Sequence, residues 1–585
     1  MNLTARLAPL QGNLRAKAPE PRIIPFGEWL PDLPAFGNPG VTEAKNVLAG
    51  AQSYLPMKGL DPQTTAFDSR VKGAWAGPNS TGDVFAYVGT TAFLYDVRNS
   101  VITDRSGATY ATASTGRWEA VRYGSKVIFT NFVNPVQSVT IGADANFADH
   151  FTSTAKPKFR HIGVIGDFLV GGYTDSAANR VQWSAIGDST DMDQSAQTQS
   201  DSQDIQQISE VTGVVSGVEY GLVFAPEGIF RLTYVGSPII FDIAPIEEAR
   251  GTTIPGSIVS IGRKTYFWSP EGIYVTDGTQ SAPVGHDRVD SWLLDQLDTA
   301  NKHRVTSGID YANETIYWSF PGENSIDGNP DQILLYNYVT NRFTYSDVAV
   351  DFVSSVQTQS YTLEQMDFAL RSSTSVAVSG AADNGSGLIR LTTAAHGRAT
   401  NEGVTVAGVV GTVEANGPWF VTVVDSTHLD LIGSTFSDAY SSGGTVTPGN
   451  IDEYTSETDS LDAPKWKGGE YRLAGFGSDL KFSYFTGDNL TAVIDTAEGQ
   501  MTPGKVNRIE DVRPLVDGTA TISVGARNLL SDDVSYTSEA SMSSEGLTSI
   551  RNKARYQRIR TTITGDWTHA QGVEVQARPG GRRHG

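Results

Sequence analysis

Between Tyr220 and Gly285, aromatic and polar positions alternate in a phrase that occurs twice, as Phe224-Ala-Pro-Glu-Gly-Ile-Phe230 and as Trp268-Ser-Pro-Glu-Gly-Ile-Tyr274. In each copy an alternating strand runs into a Pro-Glu-Gly corner and another leaves it. Phe230, Leu232 and Tyr234 share one face, so each copy reads as a β-hairpin. Proline presets φ for the first central position of a type I turn, and glycine tolerates a positive φ in the bulge that realigns the strands. Pro226 and Pro270 stand 44 residues apart. That is the spacing of β-propeller blades, in which one four-stranded sheet cannot bury both faces and stacks on a neighbour.

Further corners between aromatic strands fall at Gly89, Gly124, Gly166 and Asn313, beside strands such as Val84-Phe-Ala-Tyr-Val88, Lys126-Val-Ile-Phe-Thr130 and Thr315-Ile-Tyr-Trp-Ser-Phe320. With Gly228 and Gly272 these make six corners, which predicts an all-β fold with a propeller of about six blades over 71–347. A β-sandwich is the competing arrangement of such strands. Residues 1–70 are rich in Pro, Gly and Asn and are expected to lie extended along other elements and to contribute to the platform. Residues 348–375 read as a connector, 376–449 as a compact inserted β module rich in Gly, Val, Thr and Ser, and 450–585 as a β-sandwich-like platform.

Composition changes this picture in three ways. At 585 residues the chain exceeds one core, and 60 glycines with many Tyr, Phe, Val and Thr leave helix scarce. The absence of cysteine removes disulfides, thiolate metal sites and thiol nucleophiles together. The net charge of −21 opposes general wrapping of nucleic acid. It is compatible with a conduit whose walls must not hold phosphates, and equally with simple solubility. Neither a signal peptide nor an apolar run long enough to span a bilayer is expected.

The opening Ile24-Pro-Phe-Gly-Glu-Trp-Leu-Pro-Asp-Leu-Pro34, with Asn38-Pro-Gly40, Lys45-Asn-Val47 and Tyr54-Leu-Pro56, resembles the tail nozzle or packaged-DNA stabilisation proteins of short-tailed phages. The run from Glu227 to Gly285, with Arg250-Gly-Thr, Pro255-Gly-Ser, Asp277-Gly and Pro283-Val-Gly285, resembles the same family. This resemblance implies a virion protein of the tail, built on a β-propeller with added β domains. It also implies a homohexameric ring, tail adaptor proteins and tail fibres or spikes as partners, and double-stranded DNA passing through the channel without specific binding. Within the insert, Gly403-Val-Thr-Val-Ala-Gly408, Glu414-Ala-Asn-Gly417, Val421-Thr-Val-Val424 and Thr427-His-Leu-Asp-Leu431 resemble a small β-barrel module of phage proteins. That module is likened to a half-domain of ubiquitin-activating enzymes; without cysteine such chemistry is excluded.

Two charged stretches are candidate functional surfaces. Asp188, Asp191, Asp193, Asp201 and Asp204 lie in a stretch from Val181 to Phe230 that holds no Lys or Arg; they are candidates to face a DNA channel, with a solvated outer loop as the alternative. Asp188, Asp191 and Asp193 could suggest calcium, but counting from Asp191 the twelfth position is Ser202 rather than the bidentate Glu of an EF-hand, so no metal site is expected. Arg551, Lys553, Arg555, Arg558 and Arg560, followed by Arg578, Arg582 and Arg583, form a basic end suited to an acidic partner.

No phosphate loop, His-Glu-x-x-His helix or Gly-x-Ser-x-Gly elbow is found. His286-Asp-Arg-Val-Asp290 offers a base beside a carboxylate with no nucleophile. No catalytic residue and no cofactor are therefore expected. Two other classes compete with a structural conduit subunit: a glycan-binding or glycan-cleaving propeller, and a host-surface adhesin. The Ser-x-Asp-x-Gly-x-x-Trp turns of propeller sialidases are absent.

Overall fold

The two Pro-Glu-Gly phrases form the expected hairpins. In the computed structural model, which describes residues 21–98, 101–358, 375–398, 400, 402–448 and 469–579, Lys264–Ser269 pairs with Gly272–Thr276 from Ser269↔Gly272 outward. Tyr220–Phe224 pairs with Ile229–Gly236 from Phe224↔Ile229, and the Ala225 amide donates to the Gly228 carbonyl at 2.9 Å. Pro and Glu thus occupy the two central turn positions in both copies. The glycines serve close approach as much as turn conformation. A Cβ on Gly228 would stand 2.2 Å from the Glu247 carbonyl oxygen, and one on Gly272, whose φ is 133°, would stand 2.2 Å from the Asp290 carboxylate.

Around these hairpins the fold is all-β, a propeller with a sandwich-like platform and a closed barrel. Five consecutive four-stranded sheets form blades 1 to 5, at residues 73–104, 119–149, 159–204, 213–247 and 259–283. Blade 6 is Thr306–Asp310, Thr315–Phe320, Gln332–Asn337 and Arg342–Ser346. A seventh four-stranded sheet is assembled from three distant segments, in the order Phe352–Gln357, Tyr471–Phe476, Lys481–Tyr484, Asp61–Ala66. Phe352–Gln357 is therefore the first strand of a blade rather than part of a connector, and residues 471–484 belong to the propeller rather than to the platform.

Each blade buries its second face on the next. Phe224 and Phe267 meet between blades 4 and 5, Trp268 and Trp318 between blades 5 and 6, and Tyr317, Leu335, Val353 and Leu473 between blades 6 and 7. Phe67, Phe352, Phe476 and Phe482 then pack on Ala86, Val88 and Val97 of blade 1, closing the ring. At ~1.5–3 kcal/mol for each large apolar side chain taken out of water, these interfaces carry most of the stabilisation available to sheets with two apolar faces.

Blade 6 does not end at Arg342–Ser346. Val41–Lys45 adds beside it, parallel at Lys45↔Tyr345, and the sheet continues through Ala492–Thr496, Tyr556–Thr564 and Thr519–Arg527. A second sheet, ordered Val47–Ala49, Tyr54–Pro56, Ala570–Pro579, Asn507–Val516, Thr548–Ala554, packs on it through Ile509, Val512, Val573 and Val575 against Ile522, Val524 and Ile559. This is the platform sandwich.

Residues 357–470, with 77–84, form a separate unit. Its six-stranded barrel closes when Val376–Asp383 pairs with Thr445–Pro448, at Val376↔Val446. Leu391, Val404, Val421 and Leu429 fill it. Among the described residues no helix is long and apolar enough to cross a membrane, and the one α-helix is Asp290–Gln296.

Candidate anion-binding mouth of the propeller

The short segments that lead into the first strands of blades 1, 2, 4, 5 and 6 meet the first strand of blade 3 at one mouth. They surround a cavity of about 250 Å³ lined by Gly116, Arg117, Phe132, Arg160, His161, Glu210, Thr212, Thr253, Lys302 and His303, among others. A smaller cleft shares Gly116, Arg117 and His303 with it and adds Arg70, Lys72 and Arg304. Six full cations thus meet at one mouth of a chain whose net charge is −21.

Their neighbours neutralise them only in part. Arg160 lies over the Tyr173 ring at 3.6 Å and is 3.8 Å from Glu210. Lys302 Nζ donates to Thr253 Oγ1 at 3.0 Å, and Lys72 Nζ to the Ala113 carbonyl. Arg304 is held by the Asp327 carbonyl and Asn329. Arg117 makes no hydrogen bond or salt bridge among the described residues, and its buried Nε is without a partner. Burial lowers the Lys72 ammonium, and the Arg70 and Arg304 charges lower it further. His303 is lowered by burial and then by Arg304, Arg70 and Lys72. Buried like charges that depress one another are stabilised by a bound anion.

Beside the cations lies a dyad of a buried histidine and a half-buried glutamate. His161, 1% exposed, places Nδ1 2.7 Å from Glu119 Oε1, while its Nε2 has no partner. Burial would raise the Glu119 carboxyl, but the His161 charge and hydrogen bond, with Arg117 and the Ile162 amide, outweigh it and hold it below its ordinary value. The dyad has the form of a base with its orienting carboxylate, yet no hydroxyl is hydrogen-bonded to Nε2. As it stands the arrangement can hold an anion and lacks an assembled nucleophile.

The sequence-predicted surfaces lie elsewhere. Asp188, Asp191 and Asp193 sit in the connection between the third and fourth strands of blade 3, and Asp201 and Asp204 on its fourth strand, Asp201–Asp204. These positions are on the outer edge of that blade, away from the propeller's own axis. Several of the carboxylates are already engaged. Asp193 accepts from the Thr154 and Ala155 amides, which lower its pKa; Asp188 is lowered by its bonds to Thr190; Asp204 pairs with Arg180 at 2.6 Å. Among the described residues no cluster of three or more His, Asp or Glu could hold a metal ion.

At the basic end the strand alternation divides the residues. Arg551, Lys553 and Arg555 are exposed. Arg558 and Arg560 instead face Asp495 inside the platform, Arg560 also reaching Glu43 at 2.7 Å, while the Tyr536 hydroxyl donates to the same Asp495. Of the five residues expected to face a partner, these two are thus engaged within the chain, where they neutralise a buried carboxylate. The outer face of this sheet is nonetheless basic, with Arg508 directly opposite both Lys553 and Arg578. Arg582 and Arg583 lie outside the described residues. His286 is exposed, and Arg288 beside it joins the Glu28 carboxylate.

Sequence reading missed the mouth because its residues come from separate blades. A signal exists in retrospect: Arg70 and Lys72, Arg117, Arg160, and Lys302 and Arg304 each lie within a few residues of the first strand of a blade.

No family model matches the chain, and no curated protein matches it. Among solved structures it is similar to Raptor of Chaetomium thermophilum, with 6% identity over 51% of this chain and 27% of that one at a TM-score of 0.33. It is also similar to a chain of the mitotic checkpoint complex, with 8% identity over 53% of this chain and 91% of that one at a TM-score of 0.29. The chain thus spans about a quarter of the Raptor chain, and likenesses at this level carry no argument about function.

Proposed function

We propose that the chain is a ring-forming structural subunit at the distal part of a short phage tail, of the nozzle or packaged-DNA stabilisation type. In this role it extends the DNA channel and retains packaged DNA. The observation that carries this reading is what the resembling residues do. Trp29, 1% exposed, stacks on Tyr345 at 5.0 Å and meets Trp292 edge-on at 4.8 Å. Glu28 pairs with Arg288, and the Asp32 carboxylate accepts from the Ser291 and Trp292 amides of the helix. Asn46 bonds Asp347 and the Thr491 carbonyl. The opening motif therefore welds blade 6 to the platform, so its resemblance concerns architecture rather than an isolated stretch.

The mouth cavity, about 250 Å³, is below the ~300–1,000 Å³ of pockets for drug-sized ligands and far too small for a duplex. A DNA channel built from this chain must then run between subunits, as in a closed cyclic ring whose neighbours share one heterologous interface. Symmetric reconstruction of the protein, purified or in particles, tests the reading. Sixfold axial rings at a tail are expected, whereas a trimer at a fibre tip would overturn it.

A further inference from the structure

We propose that the propeller mouth is a binding site for a small phosphate-bearing anion, held by Arg117, Arg160 and Lys302 over the Glu119–His161 dyad. This stands independently of the tail-subunit reading.

Four observations converge. Six cations line the mouth, where Glu210 is the one lining carboxylate and Glu119, Asp298 and Asp351 stand behind, on a chain that is otherwise strongly acidic. Half-buried Arg117 lines the cavity with its buried Nε unpartnered, although a buried polar atom ordinarily finds a partner. The His161 ring lines the same wall with an unpartnered Nε2, and its Nδ1 is tied to Glu119, so the ring presents one nitrogen for a ligand oxygen. The cavity, at about 250 Å³, admits a phosphomonoester and excludes large ligands.

A phosphate group fits this set better than a lone carboxylate. It carries up to two negative charges near neutral pH and offers oxygens in several directions. The donors likewise come from several sides, from the segments leading into blades 2 and 6 and from the first strand of blade 3. Arginine matches phosphate bidentately, and lysine serves as a point charge.

The test is isothermal titration calorimetry on the full chain at low salt with inorganic phosphate, glycerol 3-phosphate and a deoxynucleoside monophosphate, against chloride at equal ionic strength. Saturable one-to-one binding is expected, weakened about tenfold or more by Arg117→Gln and by Lys302→Gln and unaffected by Arg551→Gln. Preference among the three probes shows whether the phosphate is free, on a small polyol or on a nucleotide. A second readout separates binding from folding: in ligand-free protein Arg117→Gln should leave the melting midpoint nearly unchanged, because the guanidinium makes no hydrogen bond among the described residues and acts on Glu119 only through its charge. No saturation beyond chloride, or binding unchanged in both mouth variants, would overturn the proposal, as would a lowered midpoint for Arg117→Gln together with unchanged affinity.

Discussion

Asp290 sits between two glycines of the repeated region, and its environment explains both. Its Oδ1 accepts from the Ile273 amide at 3.0 Å, and a Cβ on Gly285 would stand 2.0 Å from the same oxygen, as one on Gly272 would crowd the carboxylate. Gly272→Ala should therefore destabilise the protein by about 2 kcal/mol or more, by overpacking and by strain at positive φ; urea denaturation measures it, and a loss below ~0.5 kcal/mol would contradict the geometry. Burial, with the nearby Asp32 charge, raises the Asp290 carboxyl to about 6 against the Ile273 bond. A raised folded pKa favours the protonated form, so the contribution of Asp290 is full below its unfolded value and is lost as pH rises through about 6. The stability of Asp290→Asn relative to wild type should accordingly improve between pH 4 and pH 7, by on the order of 3 kcal/mol from the linkage of a shift of about two units. A difference that stays constant across that range would show that Asp290 does not titrate there.

At the scale of elements, blade 7 is the least local part of the ring. Its outer strand, Asp61–Ala66, precedes blade 1, and its inner strands lie on either side of the insert, so closing it pairs Lys481 with Ala66 across most of the chain. Such a closure costs more loop entropy than a hairpin and must be repaid by packing. Phe476, 1% exposed, lies at the centre of that packing, among Phe67, Phe352 and Phe482. Phe476→Ala should cost about 3–5 kcal/mol, and hydrogen exchange should show blades 7 and 1 opening before blades 3 and 4. Uniform protection around the ring in the variant would deny blade 7 this role. The same non-locality hid the blade from sequence reading. Hairpin corners advertise strands joined by short turns, whereas here the first and second strands are separated by more than a hundred residues.

For the whole molecule, the insert leaves the propeller within that interrupted hairpin. Thr358 and the residues at 469–470 close its end, with the Thr358 amide donating to Glu470 at 2.8 Å and the Gly469 amide to Thr358 at 2.7 Å. The barrel brings its own two ends together at Val376↔Val446. Replacing 359–468 by a short Asn-Gly turn should therefore leave the propeller and platform folded, with a melting midpoint within a few degrees of the full chain. Aggregation or loss of the cooperative transition would show that the propeller needs the insert. On the platform, Arg508, Lys553 and Arg578 stand in one cross-strand row; Glu510 pairs with Arg578 at 2.9 Å, and the remaining like charges suit an acidic surface laid over them. With ring assembly as the proposed function, Lys553→Glu should change the assembled mass measured by light scattering while shifting monomer stability by no more than ~0.5 kcal/mol. An unchanged assembly would exclude this face as an interface.

What the sequence by itself determined is local: the all-β class, the two Pro-Glu-Gly hairpins, the six corners of blades 1 to 6, and a compact insert. Alternation, turn chemistry and short spacing act within a few tens of residues, and they are written in the chain. Tertiary structure alone decided the seventh blade, the weld of Val41–Lys45 onto blade 6, the pairing of Arg558 and Arg560 with the buried Asp495, and the cationic mouth. Each of these depends on side chains or strands far apart in sequence meeting at one place. A lone basic residue before a strand looks like any solvated charge until the ring sets several of them around one axis.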